Sequence, residues 1–192
     1  GATGVIYGFL KQVRALQSRF QTPRAAFCFD LGVSLRRQVR PAYKVQRRGP
    51  RRCSICFSLD RQCDICREAA AARRSFDSQV DALRTDYLPS LGHCNVFAEP
   101  GYEADDLLAS SVQRSLGPRD QAVIVSSDHD LYQLLDGERV QMWLPHRKEL
   151  YGEAQLLAEY GVPARQWAEA LAIAGCPGDG VEGVRNVGCK TA

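Results

Sequence analysis

Apolar side chains recur at helical spacing over residues 4–20, where Val5, Phe9, Val13, Leu16 and Phe20 share one side, and Pro23 follows. The run 25–29 predicts a short buried strand that ends at Asp30. Residues 67–88 predict a long helix: alanines at 69–72, then Phe76, Val80, Leu83, Tyr87 and Leu88, with Pro89 as the stop. Residues 94–98 predict a strand, Gly101 a turn, and 103–116 a helix closed by Gly117 and Pro118. Strands over 121–126 and 140–144 bracket a short helix at 131–135. Helices at 152–160 and 164–174 lead into a glycine-rich tail. Strands and helices in alternation argue for an α/β fold, an open and mainly parallel sheet with helices on its faces. The last 40 residues predict no strand, so the chain divides into an α/β core over 1–150 and a helical appendage over 151–192.

Composition narrows the class. The chain has 192 residues, 45% of them hydrophobic and 24% charged, which suits one ordinary domain and excludes a disordered chain. No apolar run approaches the ~18 residues of a membrane helix, and no signal peptide opens the chain. The expectation is a soluble intracellular protein. Net charge is +3, yet the segment 36–52 holds eight basic side chains and no acid, leaving −5 for the rest. Such a run with Tyr43 inside it points to a phosphate backbone as partner.

Eight cysteines divide into two kinds. Cys28, Cys94, Cys176 and Cys189 are scattered and read as reduced core thiols. Cys53, Cys56, Cys63 and Cys66 form C-x2-C-x6-C-x2-C, a spacing that offers four thiolates to one Zn²⁺, with Arg51, Arg52, Arg61 and Arg67 to offset the charge. A dithiol redox pair and an iron–sulfur site are the alternatives for that cluster. Trp143 and Trp167 read as core, and His93 and His146 as loop residues.

The acids carry the chemistry. Asp30 ends one strand, Glu103, Asp105 and Asp106 open a helix after a second, and Asp128 and Asp130 follow a third. Carboxyl ends of parallel strands share one edge, so these six acids are expected to converge on one crevice. Converging carboxylates stay ionised only with cations among them, and hard oxygen donors suit Mg²⁺ or Mn²⁺. Each acid alone has a plainer reading: macrodipole partners at 103–106, a cap at Asp128.

These segments resemble the 5′-nuclease superfamily, the 5′→3′ exonuclease domains of bacterial type I DNA polymerases together with phage exonucleases and flap endonucleases. The resemblance rests on Gly4-Val-Ile-Tyr-Gly-Phe, on Phe29-Asp30 followed by Ser34-Leu-Arg36 and Tyr43-Lys44-x-x-Arg47, and on Gly101-Tyr-Glu-Ala-Asp-Asp-Leu-Leu. It extends to Ser126-Ser-Asp-x-Asp-Leu-x-Gln-Leu and to Gly178-Asp-Gly-Val-Glu-Gly-Val-x-x-Val-Gly-x-Lys-Thr-Ala. It covers nearly the whole chain except about residues 49–90, where an arch carrying the cysteine insertion at 53–66 is expected.

The resemblance implies a PIN-like core and a Mg²⁺- or Mn²⁺-dependent nuclease, acting through two ions on DNA flaps, nicks or RNA-primed ends in replication and repair. It implies Asp30, Glu103 and Asp105 or Asp106 at the first ion, and Asp128, Asp130 and Asp179 at or beside the second. Arg36 and Lys44 would be catalytic, and Arg36, Arg37, Arg40, Tyr43, Lys44 and Arg47 would grip the 5′ strand. A C-terminal helix-hairpin-helix would bind duplex DNA through Gly183, Val184, Gly188 and Lys190, with K⁺ at its turn. It further implies a monomer in the cytoplasm of a bacterial or phage-infected cell. Relative to the family the chain starts after the first, aspartate-bearing strand and stops inside the hairpin, which implies a fragment, a truncated frame or a degenerate member. Cys176 stands where the family often has an aspartate three residues before Asp179. A non-catalytic nucleic-acid-binding member is the alternative, and a metal-dependent endoribonuclease of similar sheet architecture a further one.

Overall fold

The computed structural model describes residues 3–41, 43–44, 63–176 and 181–188. Two compact units divide the chain, Gly1–Phe29 with Gly49–Ala98, and Asp30–Arg48 with Glu99–Ala192. Among the described residues no helix is long and apolar enough to cross a membrane.

The first unit is built on two helices and a two-stranded parallel sheet. Helix α1 (Gly4–Arg19) buries Ile6, and its Val5 N–H donates to Gln79 Oε1 at 2.9 Å. Strands β1 (Phe27–Cys28) and β2 (Val96–Phe97) pair with Phe27 opposite Val96. Both are shorter than the apolar runs suggest, and β1 is half-buried rather than buried.

The long helix differs from expectation at both ends. It begins at Asp64, runs as α3 to Ala82, widens into a π-helical turn at Leu83–Tyr87 and continues helically through Leu88–Ser90. Pro89 therefore lies inside the helix instead of ending it. The π turn, in which Leu88 N–H reaches Leu83 O, shifts the ladder just before a residue with no N–H to give. Leu83 and Leu88 anchor it in the core, whereas Phe76 and the alanines are exposed. Of the scattered cysteines, Cys28 and Cys176 are half-buried, and Cys94 is exposed instead of core, because β2 begins only after it.

The second unit holds a three-stranded sheet of β3 (Ala122–Val125), β4 (Val140–Leu144) and β5 (Glu149–Tyr151). β3 and β4 are parallel, and β5 returns antiparallel along β4 with Tyr151 opposite Met142. β5 escaped the sequence pattern because it is three residues long and its connecting turn has no glycine; Lys148 takes the left-handed conformation there, at φ +54°. β4 is central and covered on both sides: Val140, Met142, Trp143 and Leu144 are all buried. Around it lie α4 (Ala104–Ser115), a 3-10 turn at His129–Leu134, α5 (Glu153–Tyr160) and α6 (Trp167–Ala174). Tyr132, Leu156 and Trp167 complete this core. The α/β class is thus as read, with the described strands forming two small sheets that are mainly parallel, and the helices at 103–116, 152–160 and 164–174 present.

Candidate active site

The candidate site is assembled from three segments of the second unit. Asp30, just beyond β1, turns its Oδ1 to the Ala104 N–H at 2.7 Å and so caps α4 from a distant part of the chain. The helix opens on Glu103 as its N-cap, and the Glu103 N–H donates to Asp106 Oδ2 at 3.0 Å. The loop before it is pinned at Gly101, where φ is +91° and a Cβ would stand 2.8 Å from Leu35 Cγ. Leu35 N–H in turn donates to Gly101 O at 2.8 Å, which registers the basic segment against the start of α4.

That register pairs cations with acids. The short helix α2 (Arg36–Val39) presents the Arg36 guanidinium to Asp106 as a fork, Nη1 to Oδ2 at 2.7 Å and Nη2 to Oδ1 at 2.6 Å. Lys44 Nζ lies 2.8 Å from Glu103 Oε2, and the Tyr43 hydroxyl donates to the same oxygen at 3.1 Å. Lys44 holds a left-handed backbone at φ +54°, uncommon for a residue with a Cβ, and the Glu103 contact offsets that cost.

The charges respond accordingly. Hydrogen bonds from Arg36 hold the Asp106 carboxyl below the usual aspartate range, although partial burial opposes them. Burial also opposes the charge on Glu103, but Lys44, Tyr43 and Arg36 outweigh it and hold that carboxyl low. Asp105 behaves in the opposite way. Half-burial pushes its carboxyl up first, and repulsion from Asp128, Asp30 and Glu103 adds to it, with Lys44 a partial counterweight. Acids from all three segments therefore feel one another at Asp105.

The third segment is the turn after β3. Asp128 N–H donates to Ser126 Oγ at 3.0 Å, Asp128 Oδ1 accepts the Asp130 N–H at 3.0 Å, and Asp128 is the N-cap of the 3-10 turn. Asp128 thus caps and faces the acidic cluster at once. Beside it, Ser127 Oγ and His146 Nδ1 lie 3.2 Å apart. A cleft of about 230 Å³ opens on the Asp30 and Glu103 side of the site, lined among others by Asp30, Arg37, Tyr43, Lys44, Tyr102 and Glu103.

Among the described residues no three His, Cys, Asp or Glu side chains already stand as ligands to one ion. The hydrogen bonds explain the arrangement: Glu103 and Asp106 are committed to Lys44 and Arg36, and Asp30 to a helix N–H. The donor chemistry nevertheless suits a hard divalent cation, since Asp105, Asp128, Asp30 and Glu103 hold mutually repelling carboxylates.

Other expected site residues fall elsewhere. Gly183 meets the end of α6, where a Cβ would stand 2.1 Å from Ala174 O, and Val184 N–H donates to Ile173 O at 2.7 Å. Gly188 follows a turn at 185–186. Cys63 occupies the N-cap position of α3 and Cys66 is buried in its first turn. Arg47, Cys53, Cys56, Asp179, Cys189 and Lys190 lie outside the described residues. Two residues of this region were not singled out from the sequence. Tyr102 is half exposed on the cleft wall, and its signal was an aromatic inside the Gly-Tyr-Glu-Ala-Asp-Asp segment. Trp167, read only as core, donates its indole N–H to His129 O at 2.7 Å.

Comparison with known proteins places the chain in a family. The DNA polymerase I of Deinococcus radiodurans is 44% identical over 94 residues, 49% of this chain and 10% of that protein. A 5′-3′ exonuclease of Mycobacterium tuberculosis is 28% identical over 199 residues, covering 97% of this chain and 58% of that protein. The chain therefore spans less than two thirds of the length of these relatives. In three dimensions it is similar to a flap endonuclease of bacteriophage T5, solved as a pseudo-enzyme–product complex with DNA and metal ions. That likeness has a TM-score of 0.77 at 21% identity, covering 99% of this chain and 65% of the phage protein. The profile of the 5′-3′ exonuclease N-terminal resolvase-like domain matches residues 1–161, and the chain belongs to that family within the 5′-nuclease superfamily.

Proposed function

We propose that the chain carries the active site of a divalent-metal-dependent 5′ nuclease that hydrolyses phosphodiester bonds at 5′ ends, flaps or nicks of DNA. The observation that carries this reading is the repulsion at Asp105, where acids from three chain segments share one neighbourhood with a lysine beside them. Asp30, Glu103 and Asp105 or Asp106 would hold one ion, and Asp128, Asp130 and Asp179 would complete or flank a second. Bound there, Mg²⁺ or Mn²⁺ would supply the acidity that activates an attacking water and the positive charge that the leaving oxygen needs.

The chain's own side chains do the rest. Arg36 and Lys44, now paired with Asp106 and Glu103, are the cations nearest the cluster and would turn to the scissile phosphate. Arg37, Arg40 and Arg47 continue the basic track. Tyr43 and Tyr102 offer ring faces on the cleft wall for an unpaired base.

Three finer features belong to this reading. The cysteine cluster is assigned to zinc; Cys63 and Cys66, one turn apart at the start of α3, supply half of the ligand set. A helix-hairpin-helix from Gly183, Val184, Gly188 and Lys190, with K⁺ at its turn, is assigned to duplex DNA. The protein is read as a monomer that also accepts RNA-primed ends.

A labelled 5′-flap duplex incubated with and without Mg²⁺ tests the assignment. Cleavage only with Mg²⁺, abolished in Asp128→Asn while flap binding persists, is expected. Cleavage by Asp128→Asn at the native rate overturns it. Cys176, in the place of an aspartate common in the family, favours a second reading, a DNA-binding member without turnover. Binding without cutting by the native chain selects it.

A further inference from the structure

We infer that Trp167 is a positioning residue for the acidic turn, holding the His129 carbonyl so that the turn sets Asp128 beside the carboxylate cluster; its consequence for divalent binding rests on the nuclease reading above. Trp167 opens α6 and is 1% exposed, yet its indole N–H runs to the backbone of the one residue between the two aspartates. The 2.7 Å bond is the single donor an indole has. A rigid ring fixed in the core thereby dictates where that carbonyl sits.

The same residue is held a second time. The His129 ring stacks on Tyr132 at 4.8 Å and 17°, and Tyr132 stacks on Tyr151 of β5 at 4.7 Å and 18°. Trp167 leans on Tyr132 at 5.5 Å and meets Tyr160 edge-on at 5.0 Å. An aromatic ladder thus connects the sheet and α6 to a turn that has little rigidity of its own, since 3-10 hydrogen bonds are poorly aligned. Core packing alone would be met by a phenylalanine. The hydrogen bond to His129 O is what requires an indole, and the residues on either side of the carbonyl it holds are the two aspartates.

The test compares Trp167→Phe with Leu156→Val, a mild change at a fully buried position of the same core. Hydrogen exchange of metal-free protein reads the turn directly, and Mn²⁺ titration followed by electron paramagnetic resonance reads ion binding. The expected result is faster exchange at 127–131 in Trp167→Phe, with Mn²⁺ affinity about tenfold weaker, the size of losing a group that orients a ligand. Leu156→Val should lower the melting temperature but leave both readouts as in the native protein. Native exchange in Trp167→Phe, or equal acceleration in Leu156→Val, overturns the inference. If the native protein binds no Mn²⁺ while Trp167→Phe still loosens the turn, the tether stands and the nuclease reading falls.

Discussion

Asp106 and Arg36 form the best-defined charge pair of the site, and removing either should have a calculable effect. Their fork is bidentate at 2.6 and 2.7 Å. The side chains are 28% and 47% exposed, however, so solvent screening limits the pair to about 0.5–1 kcal/mol. Each has a second partner: Arg36 Nη1 lies 3.6 Å from Glu103 Oε2, a loose and screened pair that adds little, whereas Asp106 accepts the Glu103 N–H at 3.0 Å, a helix-end contact whose loss costs about 1 kcal/mol. Asp106→Ala should therefore destabilise by roughly 1.5–2 kcal/mol and Arg36→Ala by about 0.5–1 kcal/mol. For a chain of 192 residues these correspond to melting-temperature losses of roughly 4–7 °C and 1–3 °C. Thermal melts in EDTA of both single variants and the double variant close a mutant cycle whose coupling should equal the pair alone, about 0.5–1 kcal/mol. Equal losses for the two single variants, or a coupling indistinguishable from zero, would refute the account of how the start of α4 is tied to the basic segment.

Two further outcomes follow from the same geometry. Burial and the neighbouring carboxylates raise the Asp105 carboxyl in the folded state, so the native protein loses stability as pH rises through the range just above that of an ordinary aspartate, and the loss persists at neutral pH. Asp105→Asn should then melt roughly 1–3 °C above the native protein in EDTA at neutral pH, an effect of about 0.5–1 kcal/mol after screening, and the advantage should vanish below about pH 4. Glu103 and Asp106 have the reverse sign, contributing stability at neutral pH that is lost as pH falls through their depressed range, so a flat pH difference between native and Asp105→Asn melts would contradict the assignment. Gly183→Ala places a methyl group 2.1 Å from Ala174 O, a backbone atom that can yield only if the chain moves, and should cost about 2 kcal/mol in chemical denaturation. Native stability with weakened duplex binding would instead mean that Gly183 is small for the sake of DNA.

Much of this protein is written locally. The 3.6-residue apolar period predicted α1, the Gly117-Pro118 stop marked the end of α4, and the mostly apolar stretch 140–144 matched β4, because burial on a helix face or on both sides of a strand leaves a mark in the sequence. The acids of the site and the basic segment were legible by their place after strands and by their motifs. Local pattern could not show that Pro89 would be carried within a helix by a π turn, or that β5 would form through a partner strand already in place. Nor could it divide the acids by role. Asp105 and Asp106 are adjacent and chemically identical, yet one is pushed up by other carboxylates and the other held down by Arg36, since neighbours remote in sequence set the field at each oxygen. Which residues carry charge, and on which elements, is local information; which acids are already paired, which repel, and that a core tryptophan reaches the backbone between two of them emerge only on folding. Electrostatic energy depends on through-space distance, and only the folded chain has those distances.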